Sequence, residues 1–257
     1  MKLVTYLQYT KQITRREFAE MIKERAVKVN WAVVEQFDHE INPGDTLAIH
    51  ISPRDTYEET IQKTPHRLIT KLVLFHKPKG VVVSKDDPDN RTIYSILPPH
   101  RVKTYRYIGR LDKDSSGLLL LTNNPALVDY YENPHNKIYK VYEVQIDKPI
   151  KTAHISKATK WIRVTEDGEK APEDYQWPAD LLKCVSISSK TDGHQKVFAH
   201  IVLDEWKKRH IRRLLKALGY RVISLVRTKV GKRTLSTLKP GTRRIETLRG
   251  KDLPRIW

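Results

Sequence analysis

Residues 109–122 join a polar loop that is bounded by glycines to a strand of consecutive leucines. Gly109 and Gly117 bound the loop, Asp112 lies inside it, and Leu118–Leu121 follow directly. Glycine permits tight backbone turns, and a strand that is apolar at every position is typical of one buried on both faces. The sequence therefore predicts a central strand of a sheet, with a carboxylate held rigidly beside the core where that strand begins.

Strand-like runs dominate the chain from Leu68 onward, and helices interrupt them at irregular intervals. We predict strands at Lys71–His76, Val81–Ser84, Leu118–Thr122, Lys140–Ile146, Trp161–Thr165, Leu181–Ser188 and Lys196–Leu203. A cap residue followed by proline predicts a helix over Ala126–Glu132, and a second helix is expected from Lys208 to Leu218, ending at Gly219. This pattern favours an α+β fold with a large mixed, mainly antiparallel sheet flanked by helices.

The first 55 residues have the pattern of a separate small domain. Thr14 and Glu17 have the spacing of a capping box at a helix start, and apolar residues follow at helical spacing. Two strand-like runs, Val27–Val34 and Thr46–Ile51, flank the turn signal of residues 42–45. We therefore predict a helix-plus-hairpin domain over 1–55, a polar linker over 56–67 and a second domain over 68–257.

The charge of the chain points to an anionic partner. Its 257 residues include 48 Lys and Arg against 30 Asp and Glu, a net charge of +18. Residues 194–257 hold 18 basic and 4 acidic side chains, so +14 of the excess lies there, whereas residues 1–55 hold 8 of each and net zero. Nucleic acid is the first partner to consider for such a chain, and a basic surface kept for solubility is the alternative.

Other features of the composition narrow the class of protein. Cys184 is the only cysteine, which excludes intramolecular disulfides and cysteine-based metal clusters. No apolar run approaches the roughly 20 residues needed to span a bilayer, and the polar N-terminus lacks the apolar core of a signal peptide. These observations predict a cytoplasmic protein with no membrane association.

Three further segments carry candidate functional residues. On the predicted second helix, Arg209 and Arg213 share a face, while Arg212 is placed to turn inward and would then need a carboxylate partner. Residues 140–146 form an alternating strand that contains Tyr142, and residues 77–80 form a basic turn. Taken one at a time, residues 77–80, residues 140–146 and Asp112 are better explained as structural, with Asp112 as a turn cap. The simpler interpretation of the basic helix is a face that contacts phosphates only.

In their order and spacing, these segments resemble the bacterial ribosomal pseudouridine synthases of the RsuA type. The family signature G-R-L-D-x-x-T/S-x-G, followed by a leucine-rich strand, matches residues 109–122. A K-P-x-G turn matches residues 77–80, a K-x-Y-x-V strand matches residues 140–144, and a late arginine motif matches residues 208–214. A closing L-x-R followed by K-P-G matches Leu225, Arg227 and residues 239–241, so the resemblance covers residues 68–250.

The resemblance implies an isomerase that converts uridine in RNA to pseudouridine without a metal or an organic cofactor. By that resemblance Asp112 is the catalyst, Arg212 the cation beside it and Tyr142 the ring that stacks on the uracil. Ile211 and Leu225 would pack against the base. Arg110 would take the place of a flipped-out nucleotide or hold its phosphate. The aspartate could attack the sugar C1′ or the uracil C6, or deprotonate the sugar, and the sequence does not choose among these routes.

The N-terminal domain resembles the small alpha-L RNA-binding module that many of these enzymes carry. The module would present Arg15, Arg16 and Lys28 to RNA. Trp31 stands where the family usually has glycine, and tryptophan does not suit a turn position of positive φ. In the second domain, further RNA contacts are expected at the following residues: Lys77, Lys79, Lys140, Arg209 and Arg213.

The expected partner is ribosomal RNA, either free or within a pre-ribosomal particle, and the chain is expected to be a monomer. The sequence does not identify the target uridine or the RNA that carries it. The alternative is a non-catalytic RNA-binding or ribosome-assembly protein on the same scaffold. Two remaining alternatives are a glycosidase-like hydrolase that uses Asp112 and Asp114, two carboxylates too close on one loop to face each other across a sugar, and a nucleic-acid-binding protein without preference for RNA.

Overall fold

A computed structural model of the chain describes residues 1–11, 13–52, 55–61, 70–97, 105–172, 179–205 and 207–248. These residues form two compact units. The first comprises the described residues of 1–71 and 123–127 together with 247–248, and the second comprises those of 72–122 and 128–246.

The first unit packs two helices and a small antiparallel sheet around one apolar core. The helices are α1 (Leu3–Thr10) and α2 (Arg15–Lys23). The strands are β1 (Val27–Val29), β2 (Ala32–Val33), β3 (Thr46–Ser52) and β4 (Asp55–Thr60), in the spatial order β2-β1-β3-β4. The capping box predicted at Thr14 is confirmed, since its hydroxyl accepts from the Glu17 amide at 3.1 Å and the Glu17 carboxylate accepts from the Thr14 amide at 2.6 Å. Helix α1 was not predicted.

A tight turn at Asn30-Trp31 divides the run Val27–Val34 that was predicted as one strand. Both turn residues have positive φ, 49° for Asn30 and 68° for Trp31. Two consecutive positive φ values make the two-residue hairpin whose twist matches paired strands. We expected tryptophan not to suit such a position. Trp31 nevertheless adopts it, at a cost of about 1–2 kcal/mol.

The prediction of a linker over 56–67 is wrong for residues 56–60, which belong to β4. This strand pairs with β3 in antiparallel register, for example Tyr57 with Ile49. Its Glu59 carboxylate accepts hydrogen bonds from the Tyr6 hydroxyl at 2.9 Å and the Lys11 ammonium at 3.0 Å. A polar strand can pair at a sheet edge because its backbone bonds do not require apolar side chains. Most of the remaining predicted linker lies outside the described residues, and the boundary at residue 68 stays a prediction.

A large mixed sheet organises the second unit. Its strands are β5 (Thr70–Lys77), β6 (Arg106–Ile108), β7 (Ser116–Thr122), β8 (Lys140–Ile146), β11 (Ser186–Thr191), β12 (Val197–Leu203), β13 (Val222–Val230), β14 (Arg233–Thr234) and β15 (Arg243–Leu248). The order is β11-β12-β8-β13-β7-β5-β15, with β14 beside β13 and β6 beside β7. Strands β9 (Ile162–Val164) and β10 (Asp180–Leu182) form a separate antiparallel pair.

The predicted strand of leucines lies inside this sheet. Leu118–Leu121 are fully buried, and β5 pairs along one edge of β7. The other edge is shared by β6, which pairs with Leu120 and Leu121, and β13, which pairs with Ser116 and Gly117. The pairing of β7 with β13 is parallel, whereas β7 with β5 and β8 with β12 and β13 are antiparallel. The mixed, mainly antiparallel sheet predicted from the sequence is confirmed.

Helices flank the sheet at α3 (Ile93–Ile96), α4 (Pro125–Glu132), α5 (Thr152–Ala158) and α6 (His210–Ala217), with a 3₁₀ turn at Pro134–Asn136. Helix α4 is confirmed, as is the end of α6 at Gly219, which has a φ of +82°. Two strand predictions are wrong in part. Val81–Ser84 makes only an isolated bridge, and Leu181–Ser188 is divided between β10 and β11.

Candidate active site

The loop before β7 is fixed by its glycine at the sheet and by a buried lysine. Gly117 has a φ of +113°, and a Cβ atom there would overlap the backbone of Arg227 on β13. The fully buried Lys77 ammonium donates to the Ser115 carbonyl at 2.7 Å and the Pro78 carbonyl at 2.9 Å. The loop that carries Asp112 therefore sits against the middle of the sheet, as its sequence indicates.

Asp112 lines a pocket at the start of β7. The pocket is lined by Arg110, Leu111, Asp112, Ser115, Tyr142, Leu203, Glu205, Lys207, Arg209, His210, Ile211, Arg212 and Leu225. Seven predicted site residues are thus brought together: Asp112, Arg212, Tyr142, Arg110, Arg209, Ile211 and Leu225. Apolar walls around two carboxylates, Asp112 and Glu205, and several cations suit a planar, uncharged ligand with an anionic attachment.

Burial and neighbouring charges act on Asp112 in opposite directions. Burial raises the pKa of this carboxyl above its ordinary value, and the carboxylate of Asp114 adds to the rise. The cations of Arg209, Arg212 and Lys77 lower it, and the net effect is a raised pKa. A carboxyl that is costly to ionise and is surrounded by cations has the electrostatic pattern found at catalytic groups.

Arg212 turns inward as predicted, but its ion pair is with Asp114. Its guanidinium lies 3.2 Å from the Asp114 carboxylate and donates to the Asp114 carbonyl at 3.1 Å, and its side chain is 14% exposed. Arg209 contacts the same carboxylate at 3.3 Å. Asp114, which follows Asp112 by two positions in the signature loop, thus competes for both cations, and Asp112 feels them across the pocket without a direct ion pair among the described residues. Within the same described part of the chain, the buried Nε of Arg212 has no hydrogen-bond acceptor.

Tyr142 lies beside an arginine from the adjacent strand. Arg227 is fully buried and lies opposite Tyr142 in the antiparallel register, where its guanidinium interacts electrostatically with the tyrosine side chain. Arg227 also donates to the Leu118 carbonyl at 2.8 Å and the Arg110 carbonyl at 3.4 Å. One guanidinium therefore fixes the first leucine of β7 and the loop before it, and it lies beside the tyrosine.

Three residues that we predicted to contact RNA are buried, and their burial corrects that prediction. Lys77, Lys140 and Arg213 are 0%, 2% and 6% exposed. Burial lowers the pKa of both lysines to about 8. Arg213 donates to the carbonyls of Val164 and Thr165 and pairs with Asp180 at 2.6 Å. Long basic side chains can be buried in a fold when carbonyl oxygens or carboxylates accept hydrogen bonds from their N–H groups.

The other predicted RNA contacts of the two units are at least partly open to solvent. Arg110, Lys79 and Arg209 are exposed in the second unit, and Arg110 and Arg209 line the pocket. In the first unit Arg15 and Arg16 are exposed at the start of α2, whereas Lys28 is half-buried on β1. The guanidinium of Arg15 lies 5.2 Å from the ring centre of Phe37.

Helix α6 is anchored to the small sheet β9–β10 by two buried side chains. Arg213 reaches β9 and Asp180, as described above, and the ring of His210 bonds through Nε2 to the Lys183 carbonyl at 2.8 Å. Burial lowers the pKa of His210 to about 4, so the ring is neutral at pH 7 and carries its proton on Nε2. The helix that supplies Arg212 and Ile211 therefore has a fixed position relative to this sheet.

Several residues of the site were not predicted. Arg227, Asp114, Glu205 and Lys207 all contribute to the pocket or its support. The sequence signal for Arg227 is an arginine inside the apolar run of β13, since a buried charge requires partners. Burial also raises the pKa of Glu205. Asp114 carries no signal that separates it from a solvent-facing loop residue.

The described residues bring together no group of three or more His, Cys, Asp and Glu side chains suited to a metal ion. None of the helices described by the structure has the length and apolar composition of a membrane-crossing segment.

Comparisons with known proteins agree with the geometry. The RNA pseudouridylate synthase family model matches residues 71–217, and the S4 domain model matches residues 1–47. A ribosomal small subunit pseudouridine synthase A from Vibrio cholerae is 30% identical over 73% of the chain and 74% of its own length. A ribosomal large subunit pseudouridine synthase B from Bacillus subtilis is 28% identical over 90% of the chain and 86% of its own length.

One solved structure, described as a pseudouridylate synthase, shares the fold. It superposes with a TM-score of 0.59 and 24% sequence identity and covers 96% of both chains. The family model spans 147 residues (217 − 71 + 1), more than half of the 257 in the chain. With an S4 domain at its N-terminus and Asp112 in the pocket beside β7, the chain belongs to the RNA pseudouridylate synthase family, whose members are isomerases that act on RNA.

Proposed function

We propose that this protein converts a specific uridine of ribosomal RNA to pseudouridine, with Asp112 as the catalytic residue. The observation that carries the proposal is the position of Asp112, a half-buried carboxylate in a pocket that also contains Tyr142, Ile211, Leu225 and three arginines. Relatives named as ribosomal small and large subunit pseudouridine synthases support ribosomal RNA as the substrate.

The reaction breaks the N1–C1′ bond, turns the uracil and joins C5 to C1′; C5 then loses its proton and N1 gains one. The carboxylate of Asp112 can assist as a nucleophile at the sugar C1′ or the uracil C6, or as a base toward the sugar. Each route needs the ionised carboxylate in a site that excludes water, where the cations of Arg209, Arg212 and Lys77 offset its desolvation. The ring of Tyr142, beside Arg227, provides a flat surface for the uracil.

The target uridine must leave its stack to enter such a pocket. Unstacking costs a few kcal/mol, which contacts to the phosphates and to the extruded base offset. Arg110 lies exposed at the pocket and is placed to contact the vacated position or the phosphate of the extruded nucleotide. Ile211 and Leu225 supply apolar contacts to the base.

The test is the variant Asp112→Asn in cells that lack the chromosomal gene. Pseudouridines in ribosomal RNA are mapped by carbodiimide modification and primer extension. We expect one stop to vanish without the gene, to return with the wild-type chain, and to remain absent with Asp112→Asn.

Asp129→Asn, which removes an exposed carboxylate from α4, is the matched control and should restore the stop. RNA binding by Asp112→Asn should remain close to that of the wild-type chain. Turnover by Asp112→Asn would contradict the catalytic role of this residue. An identical map with and without the gene would instead favour a non-catalytic RNA-binding protein.

A further inference from the structure

The outer face of the small sheet β9–β10 carries an exposed tryptophan between lysines. Trp161 precedes β9 and Lys183 follows β10, and the pairing of Ile162 with Leu182 makes these two residues the next cross-strand positions. Trp161 is 51% exposed, and the Lys183 ammonium lies 4.5 Å from its ring centre. Burial does not explain a tryptophan in this position, since half of its surface faces solvent.

A second lysine joins this surface to the active-site pocket. The Lys207 ammonium lies 5.5 Å from the Trp161 ring centre and donates to the Leu181 carbonyl at 2.6 Å. Lys207 also lines the pocket that contains Asp112. One side chain is therefore shared between the exposed tryptophan and the pocket, within the same compact unit.

The surface is held firmly in place. Its sheet is attached to α6 by the Arg213 bonds to β9 and Asp180 and by the His210 bond to the Lys183 carbonyl. Helix α6 also supplies Arg212 and Ile211 to the pocket. A rigid aromatic at a fixed distance from a pocket binds a ligand with little loss of side-chain entropy on the protein side.

An exposed aromatic ring flanked by ammonium groups fits single-stranded RNA better than it fits an apolar partner. Bases stack on aromatic side chains, and the phosphates on either side of a base pair with cations. Asp180 is the one acidic side chain described on β9 and β10, and it is paired with Arg213. The charge of the surface is thus complementary to a polyanion.

We propose that Trp161, Lys183 and Lys207 form a stacking subsite for a nucleotide that flanks the target uridine. The base stacks on the open part of the Trp161 ring, and the lysines contact the adjoining phosphates. The subsite would hold the RNA strand while the neighbouring nucleotide occupies the pocket. This inference rests on the proposed RNA substrate and names a part of its binding site.

The test measures the binding of fluorescein-labelled decauridylate by fluorescence anisotropy, with Asp112→Asn as the parent so that no turnover occurs. Loss of one base stack costs about 1–3 kcal/mol, so Trp161→Ala should weaken binding roughly 5- to 150-fold. Trp161→Phe keeps a ring and should stay within about threefold of the parent by the same stacking argument. Ile245→Ala removes another apolar side chain of matched exposure, 48%, and should bind like the parent.

The role of the lysine is tested through salt. Lys183→Gln should reduce the slope of log affinity against log salt by about 0.7, the value for one phosphate contact on a single strand. A slope equal to that of the parent would remove the phosphate contact from the proposal. Trp161→Ala with the affinity of the parent would overturn the subsite and leave the surface to a partner other than RNA.

The two proposals fail in different ways. Turnover by Asp112→Asn would overturn the catalytic assignment and leave the binding results intact, because those experiments do not depend on chemistry. Parental affinity of Trp161→Ala would overturn the subsite alone. A parent chain that binds neither decauridylate nor ribosomal RNA would contradict both.

Discussion

The carboxylates of Asp112 and Asp114 lie on one loop and share the same two arginines. Arg212 and Arg209 make their described ion pairs with Asp114, while Asp112 is the carboxylate whose pKa is raised by burial and by its acidic neighbour. Asp114 therefore weakens the stabilisation of ionised Asp112 in two ways, by its own charge and by the cations it occupies.

This arrangement predicts how activity depends on pH. Because Asp112 must be ionised to act, the rate should fall as the pH decreases through its raised pKa. Asp114→Asn removes the like charge and releases both guanidiniums, so it should lower the pKa of Asp112 and move the acidic limb of the kcat/KM profile to lower pH. The profile is measured on ribosomal RNA from cells without the gene.

Asp129→Asn again provides the control, with an expected acidic limb at the wild-type position. An acidic limb that stays in place in Asp114→Asn, or moves to higher pH, would show that Asp114 does not set the ionisation of Asp112.

At this scale the sequence predicts which residues meet at the pocket better than it predicts what each one contacts. The signature motifs bring Asp112, Tyr142 and Arg212 together as expected. They do not show that Arg212 pairs with Asp114, because two carboxylates on one loop differ in direction only after the backbone is folded. Lys77 and Lys140 were taken for surface residues since the carbonyls and neighbours that surround them come from distant segments.

The elements around the site depend on close backbone packing between β7 and β13. Gly117 stands opposite Arg227 in the parallel pair, where no Cβ atom fits. The loop before Gly117 carries Asp112, and the strand after Arg227 continues the sheet. Displacement of one strand from the other would therefore move the catalytic loop away from the arginine that lies beside Tyr142.

Gly117→Ala should lower both stability and activity. The added methyl group overlaps the backbone of Arg227 and also forces alanine to a φ of +113°. We expect a loss of about 2 kcal/mol or more in the free energy of unfolding, measured by urea denaturation. The loss of pseudouridine formation should exceed the loss expected from the unfolded fraction alone.

Gly241→Ala is the matched control, since Gly241 has a φ of +82° with nothing within 4 Å of an added Cβ atom among the described residues. It carries the conformational cost without the overlap and should be the milder of the two. Equal effects of both substitutions would show that backbone conformation, and not the contact between β7 and β13, decides the result.

Some elements with short-range apolar or capping signals were predicted, whereas helix α1, strand β4 and strand β13 were not. The leucine run of β7 and the capping box of α2 have short-range causes that are visible in the sequence. Strand β13 was missed because Arg227 and Lys229 interrupt its apolar pattern. The reason for Arg227 lies on β8 and in the loop before β7, which a local pattern does not reveal.

Over the whole molecule, the net charge overstates the positive surface available to RNA. Some of the basic side chains of residues 194–257 are buried or form ion pairs within the protein. Arg213 pairs with Asp180, Arg212 and Arg209 with Asp114, and Arg227 is buried. Under the proposed function, the cations available to RNA are those that remain exposed, such as Lys79 and Arg110.

Two neighbouring lysines test this difference between exposed and buried basic side chains. Lys79 is exposed, so Lys79→Gln should reduce the salt slope of RNA binding by about 0.7 and leave the urea midpoint unchanged. Lys77 is fully buried, so Lys77→Gln should leave the slope unchanged and lower the urea midpoint, because the carbonyls of Ser115 and Pro78 lose their donor. A change of slope in Lys77→Gln with no change in Lys79→Gln would reverse the assignment.

The parallel pairing of β7 with β13 also determines when during synthesis the site can exist. Val226 lies 110 positions after its partner Ser116 (226 − 116), and contacts of such separation form late because the loop between them must first close. A nascent chain that has exposed Asp112 and Tyr142 has no Arg212, Leu225 or Arg227 to complete the pocket. Until β13 leaves the ribosome, Ser116 and Gly117 at the start of β7 lack their neighbouring strand and leave a short open edge beside the catalytic loop.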